Sequence, residues 1–375
     1  MTSETTSQDP AKQPLPDLES PALRRGLSLV CLGGALACVL WGLIQLDGPI
    51  TRYLRTITTP EGGGTLTVPW MAFVSHVGNW IGDGRQILTV SAILLAVGWL
   101  WPASRGIPTG IQTLWAHGLA TVSVHTVKHL IGRPRPKFSH SGEWTIAPSL
   151  TSGFDSFPSG HTTATFALAV VLSRRFPVLA ALFLGVGAFV ALSRVLRGSH
   201  FPSDVFGGWV LGALCGSVSS APWKEWRRSL EAGLHEAALG TVWMFALVWA
   251  LAYPMEIGGE TRFLIGIGAG LLGLGAWIRV REWRQTSDEE RSGAVHGSQL
   301  AMGLGLSFIS ATPIVMAAAG FLCVGRWLRG RYLDAERDGQ RVVRSVREAE
   351  FLLAVVVSLL ILFGARGVLP FGVLP

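Results

Sequence analysis

Charge is what this sequence has least of. Only 15% of its 375 residues are Asp, Glu, Lys or Arg, against about 25% in an average soluble domain. That deficit counts against an ordinary soluble enzyme. The 49% apolar content and a mean hydropathy of +0.42 exclude a disordered chain. Cysteine is scarce as well. Cys31, Cys38, Cys215 and Cys323 all lie in apolar stretches, with no Cys-x-x-Cys spacing. A small disulfide scaffold is excluded, and the four read as small buried hydrophobes with no disulfide or metal role.

What is present is a series of long apolar runs. Eleven stretches of 15 or more residues hold at most one charge each: 26–46, 68–82, 86–104, 106–127, 156–173, 176–193, 205–223, 232–255, 263–278, 292–325 and 351–365. A helix crosses a bilayer with about 20 mostly apolar residues. The pattern is that of an all-α, polytopic membrane helix bundle with about ten spans. Stretch 68–82 is short and polar and fits an interfacial helix better. Residues 1–25 are polar and proline-rich and read as a disordered cytoplasmic tail.

The net charge of +7 is not read as a nucleic-acid signal, because excess Lys and Arg in membrane proteins collects in cytoplasmic loops. Six spans fit the first 223 residues: 26–46, 86–104, 108–128, 160–175, 176–194 and 202–222. With a cytoplasmic N-terminus, the inner side receives Arg24, Arg25, Arg105, Arg174, Arg175, Lys224, Arg227 and Arg228. One outer loop breaks the rule, since Lys128, Arg133, Arg135 and Lys137 crowd it. Cations there either snorkel to headgroups or bind something anionic.

Three segments meet on that face: Lys128 to Pro136, Ser156 to His161, and Ser193 to Asp204. Together they hold the inventory for binding and attacking a phosphate. Pro158-Ser159-Gly160-His161 opens a helix, where unpaired N–H groups favour an anion. Gly160 lets the backbone approach phosphate oxygens, and Ser159 adds a hydroxyl. Lys128, Arg135 and Arg194 can neutralise those oxygens. Asp204, four residues after His200, can take a hydrogen bond from one ring nitrogen and leave the other nucleophilic. His161 remains as the acid for the leaving oxygen. A metal site built from His161, His200 and Asp204 is the local rival, opposed by the surrounding cations. His125 shares a helix face with Lys128 but reads as a packing histidine.

The spacing Lys-x6-Arg-Pro (Lys128, Arg135, Pro136), then Pro-Ser-Gly-His (Pro158 to His161), then Ser-Arg-x5-His-x3-Asp (Ser193, Arg194, His200, Asp204) resembles the type 2 phosphatidic acid phosphatase family. The resemblance covers about residues 26–222. It implies a six-helix membrane core and a phosphatase that needs no metal or other cofactor. His200 would form a phosphohistidine oriented by Asp204, and His161 would act as acid and then assist water. Lys128, Arg135, Ser159, Gly160 and Arg194 would hold the phosphate. The apolar spans put such a site at the lipid–water boundary, so the expected partner is a lipid phosphate or diphosphate. The expected location is a bacterial cytoplasmic membrane with the site facing away from the cytoplasm. A phosphotransferase passing the phosphoryl group to a hydroxyl acceptor shares the same motifs and stays open.

Residues 223–375 lie outside the resemblance and read as an additional membrane region of unknown role. Runs 232–255 and 263–278 fit a hairpin. The run 292–325 is 34 residues long, short of the roughly 40 that two spans require. A single crossing over 299–325 is expected there, rather than a re-entrant loop broken at Pro313.

Overall fold

In the computed structural model the described residues are 20–56, 68–139, 144, 146–252, 258–282 and 288–334. All regular structure among them is helical. The elements are α1 (Pro21–Thr56), α2 (Pro69–Ile81), α3 (Gly84–Leu100), α4 (Gly106–Ile131), α5 (Gly160–Arg175), α6 (Ala180–Leu196), α7 (Pro202–Ser219), α8 (Trp226–Ala252), α9 (Gly259–Glu282), α10 (Asp288–Ile309) and α11 (Pro313–Asp334). The all-α membrane architecture is therefore present. The tail expected over 1–25 gives way to helix at Pro21, and residues 1–19 and the run 351–365 lie outside the described residues.

Helices α1, α6 with the turn before it, and α9 are each long and apolar enough to cross a bilayer, and α2 and α3 are so as a pair bent by 54°. Large side chains such as Trp99, Leu100 and Val122 face outward, as lipid-facing positions do. The central helices are less apolar for a physical reason. α5 is enclosed by α4, α6 and α7, and it buries Thr162, Thr163 and Thr165. Thr163 and Thr165 spend their hydroxyls on helix carbonyls one turn back, and Thr162 on the Ser159 hydroxyl.

Small residues set the central crossing. A Cβ on Gly208, Gly212 or Gly216 of α7 would stand 2.7, 2.4 or 2.5 Å from the carbonyl oxygens of Ser159, Thr163 and Ala167 on α5. Glycine at every fourth position lets the two backbones touch. The contact brings the starts of α5 and α7 together, and both motif histidines lie beside them.

α1 is 36 residues long, roughly 54 Å at 1.5 Å per residue, well over the ~30 Å hydrocarbon core. Its last turns therefore reach the loop after α4, where Arg55 Nη2 donates to the Pro136 carbonyl at 2.5 Å. Its packing face, Leu32, Val39, Leu43 and Leu46, is clustered with Val242 and Phe245 of α8 and with Val315 and Leu322 of α11. The C-terminal region thus braces α1.

The single crossing expected over 299–325 is not what forms. α10 ends at Ile309 and α11 begins at Pro313, and the chain turns back between them. Ser307 Oγ donates to the Met316 carbonyl at 2.7 Å, and Gly303 packs against Cys323. Ala311 takes the left-handed conformation (φ 50°), and Pro313 starts the new helix where its missing N–H does no harm.

Candidate active site

The site is built at one end of the bundle. Lys128 lies in the last turn of α4, which stops at Gly132 with φ 64°. A Cβ there would stand 1.7 Å from the Ala147 carbonyl, so this left-handed stop requires glycine. The chain then enters a loop clasped by Arg135 N to Gly153 O (2.9 Å) and Ser156 N to Arg133 O (3.0 Å). Ser159 is the N-cap of α5, and its amide donates to the Asp204 carbonyl at 2.9 Å. The amides of Gly160, His161 and Thr162 precede the first intrahelical bond, Thr163 N to Ser159 O, and so present the usual free donors of a helix start. The open face of Gly160 meets only Lys128 Cε, at 3.9 Å from a built Cβ.

His200 is 3% exposed. Its Nδ1 lies 2.8 Å from the Ser156 carbonyl. A carbonyl only accepts, so Nδ1 carries the proton and Nε2 holds the lone pair. The hydrogen bond expected from His200 to Asp204 is not made directly, because Asp204 Oδ2 stands 3.7 Å from Nδ1. Instead Asp204 Oδ2 accepts from Ser156 Oγ (2.6 Å) and Phe201 N (2.8 Å). Asp204 thus fixes the residue that fixes the ring, and acts on His200 through its charge. Burial pushes the His200 pKa down to about 4, Asp204 opposes this, and Lys128 and Arg194 add to it. The ring is neutral at physiological pH.

A cavity of about 300 Å³ opens beside the start of α5, walled by Lys128, Arg135, Asp155, Gly160, His161 and His125. His125, read from sequence as a packing histidine with contact to the site as the alternative, is exposed and lines this cavity. Arg194, on α6, is held by the Asn79 side-chain oxygen of α2. His161 lines this cavity together with Lys128 and Arg135. Lys128, Arg135, Ser159, Gly160, His161, Arg194, His200 and Asp204 therefore gather at one end of the bundle.

Four polar partners are added that the motifs did not single out: Asp47, Asn79, Asp155 and Ser156. Arg133, read from sequence only as part of a cationic cluster, is wholly buried. It donates to Asp204 Oδ1 (2.6 Å), Ser203 Oγ (2.7 Å) and Asp47 Oδ2 (2.7 Å), between the rings of Trp144 and Phe201. Asp155 closes on Arg135 and Lys128. Its signal in the sequence was faint: one acid in a charge-poor region, directly before Ser156.

An oriented histidine, a second histidine, fixed cations and a helix start, gathered at one end of an integral membrane bundle, form an arrangement that can bind and attack a phosphate. Residues 109–228 match the PAP2 superfamily. The chain is 28% identical over 193 residues to the lipid A 1-phosphatase of Rhizobium johnstonii, covering 49% of this chain and 75% of that protein. It is 28% identical over 134 residues to the undecaprenyl-diphosphatase BcrC of Bacillus subtilis, covering 35% and 65%. The crystal structure of Aquifex aeolicus LpxE is matched at 26% identity with a TM-score of 0.35, covering 46% of this chain and 94% of that one.

Proposed function

We propose that this protein hydrolyses a lipid phosphate or lipid diphosphate at the extracytoplasmic membrane face, through a phosphohistidine on His200. The observation that carries this is the His200 hydrogen bond to the Ser156 carbonyl, which puts the proton on Nδ1 and leaves the lone pair on Nε2 as the nucleophile. Nε2 attacks phosphorus, the bond to the leaving oxygen breaks, and His161 gives that oxygen a proton. Water then attacks the phosphohistidine and yields its proton to His161, releasing phosphate and restoring both rings. Lys128, Arg135, Arg194, Ser159 Oγ and the α5 amides meet the charge on the equatorial oxygens, so no metal ion is required. Two relatives named as a lipid A phosphatase and an undecaprenyl-diphosphatase support the substrate class.

The test is phosphate release by the purified full chain in detergent, across a panel of lipid phosphates and diphosphates without added acceptor. Release from a panel member, lost in His200→Ala, is the expected result. No release by a folded protein would overturn the reading. Turnover that requires a hydroxyl acceptor would reassign the protein as a phosphotransferase.

A further inference from the structure

Asp155 belongs to none of the three motifs, yet it sits on the cations assigned to the substrate. Arg135 Nε donates to Oδ1 at 2.8 Å and Nη2 donates to Oδ2 at 2.6 Å, so the carboxylate takes two of the guanidinium's donors in a paired fit. Lys128 Nζ donates to the Asp155 main-chain carbonyl at 2.7 Å and stands 3.4 Å from Oδ2. All three side chains line the cavity that also holds Gly160 and His161. A phosphate meeting Arg135 in the same paired geometry has to replace this carboxylate. The Asp155 side chain is 26% exposed, so water can receive it when it is displaced. Burial raises its pKa, but the Arg135 hydrogen bonds and the Lys128 charge outweigh that and hold it below the usual carboxylate range. It is ionised wherever lipid phosphates are.

A cationic site at a membrane surface faces a particular competitor. The surrounding headgroups are phosphodiesters, each phosphate carrying one negative charge, at densities no soluble enzyme meets. A terminal phosphate at neutral pH carries nearly two. We propose that Asp155 is a specificity-determining residue that admits terminal phosphates and rejects phosphodiester headgroups. This rests on the lipid-phosphatase reading above. A phosphodiester would exchange one negative charge for another, and it would lose to a carboxylate tethered in place. A dianion is attracted about twice as strongly by each cation at a given distance, and so displaces Asp155. Without Asp155, Lys128 and Arg135 would be open to any phosphate-bearing lipid.

The test is competitive inhibition of phosphate release by the full chain in neutral detergent at pH 8. The probes are inorganic phosphate (a dianion), dimethyl phosphate (a monoanion) and phosphatidylglycerol. Wild type should be inhibited by phosphate and be nearly insensitive to the two phosphodiesters. Asp155→Asn should bind both phosphodiesters at least about tenfold more tightly, a gain set by removing one competing charge. Asp155→Glu, which keeps the charge, should retain the rejection. If Asp155→Asn does not turn over, the same ligands are compared by their shift of its thermal unfolding midpoint. Equal inhibition of wild type by phosphate and dimethyl phosphate would overturn the proposal even if no variant folds. So would unchanged discrimination in Asp155→Asn. A wild-type chain that releases no phosphate from any lipid overturns the underlying reading instead, which separates the two failures.

Discussion

Arg133 Nη1 stands 2.6 Å from Asp204 Oδ1, with both side chains wholly buried. The other terminal nitrogen reaches Asp47 on α1 at 2.7 Å. One guanidinium thus joins the longest helix of the bundle to the acid beside His200. Breaking a buried pair by removing one partner typically costs about 3–5 kcal/mol, because the other charge is left uncompensated. Here two carboxylates would be stranded. Arg133→Ala should lower the thermal midpoint sharply and abolish turnover. Arg133→Lys, whose single ammonium cannot fork between two acids, should recover little. A Lys variant with wild-type midpoint and rate would show that the bridge does not position Asp204.

His200 makes stability depend on pH in a defined direction. Its folded pKa is near 4, against 6.5 for an unperturbed ring, so below 6.5 the unfolded chain binds a proton that the folded chain refuses. The contribution is full above about pH 6.5 and is lost as pH falls through about 4. Its size is on the order of 3 kcal/mol. Thermal midpoints of wild type and His200→Gln should converge as the pH is lowered from 7 to 4. Parallel profiles would mean that the ring is not buried neutral.

Helices α8 and α11 pack on α1, and α8 packs on α7 as well. Deleting the chain after Trp223 removes the α8 and α11 side chains that pack on Leu32, Val39, Leu43 and Leu46. The truncated protein should be less stable and slower, because Asp47 loses its support. It should still turn over, since the proposed chemistry uses no side chain beyond Asp204. A well-folded truncation with no activity at all would show that the C-terminal region completes the site.

Legibility followed sequence distance. The expected span 160–175 coincides with α5, and the turn Pro177–Leu179 accounts for the late start of α6 at Ala180. The motif residues were readable because fixed spacing and residue type both carry information. Asp47 and Asn79 were not, since each is a lone polar residue whose partner lies 86 or 115 positions away. The His200 partner was hidden for a different reason: every residue has a carbonyl, so nothing in the letter Ser156 marks its oxygen. A break at Pro313 was legible only as the less favoured alternative, because the left-handed residue before it is Ala311, where glycine or asparagine would have been the signal.

Sidedness can be tested on the loop that carries Asp155. Leu150 is 85% exposed there, whereas Ser199 at the end of α6 is 7% exposed and a poor reporter. Leu150→Cys in intact cells should react with a membrane-impermeant thiol reagent above the background of the four native cysteines. Protection in cells, with labelling only after lysis, would place the site in the cytoplasm.

The two histidines should fail differently. His200→Ala removes the nucleophile, so turnover should vanish with every substrate. His161→Ala removes only the proton donor, and general acid catalysis is typically worth about 10²–10⁴-fold. That loss depends on the leaving group. A lipid alkoxide is a poor leaving group and needs its proton early, whereas an aryl oxide leaves with little help. His161→Ala should therefore lose the full factor on a lipid phosphate and much less on an activated aryl phosphate. Dephosphorylation of the phosphohistidine also uses His161, so radiolabel from the aryl substrate should accumulate on His200 in this variant. Equal losses on both substrates, with no trapped label, would remove His161 from the acid role.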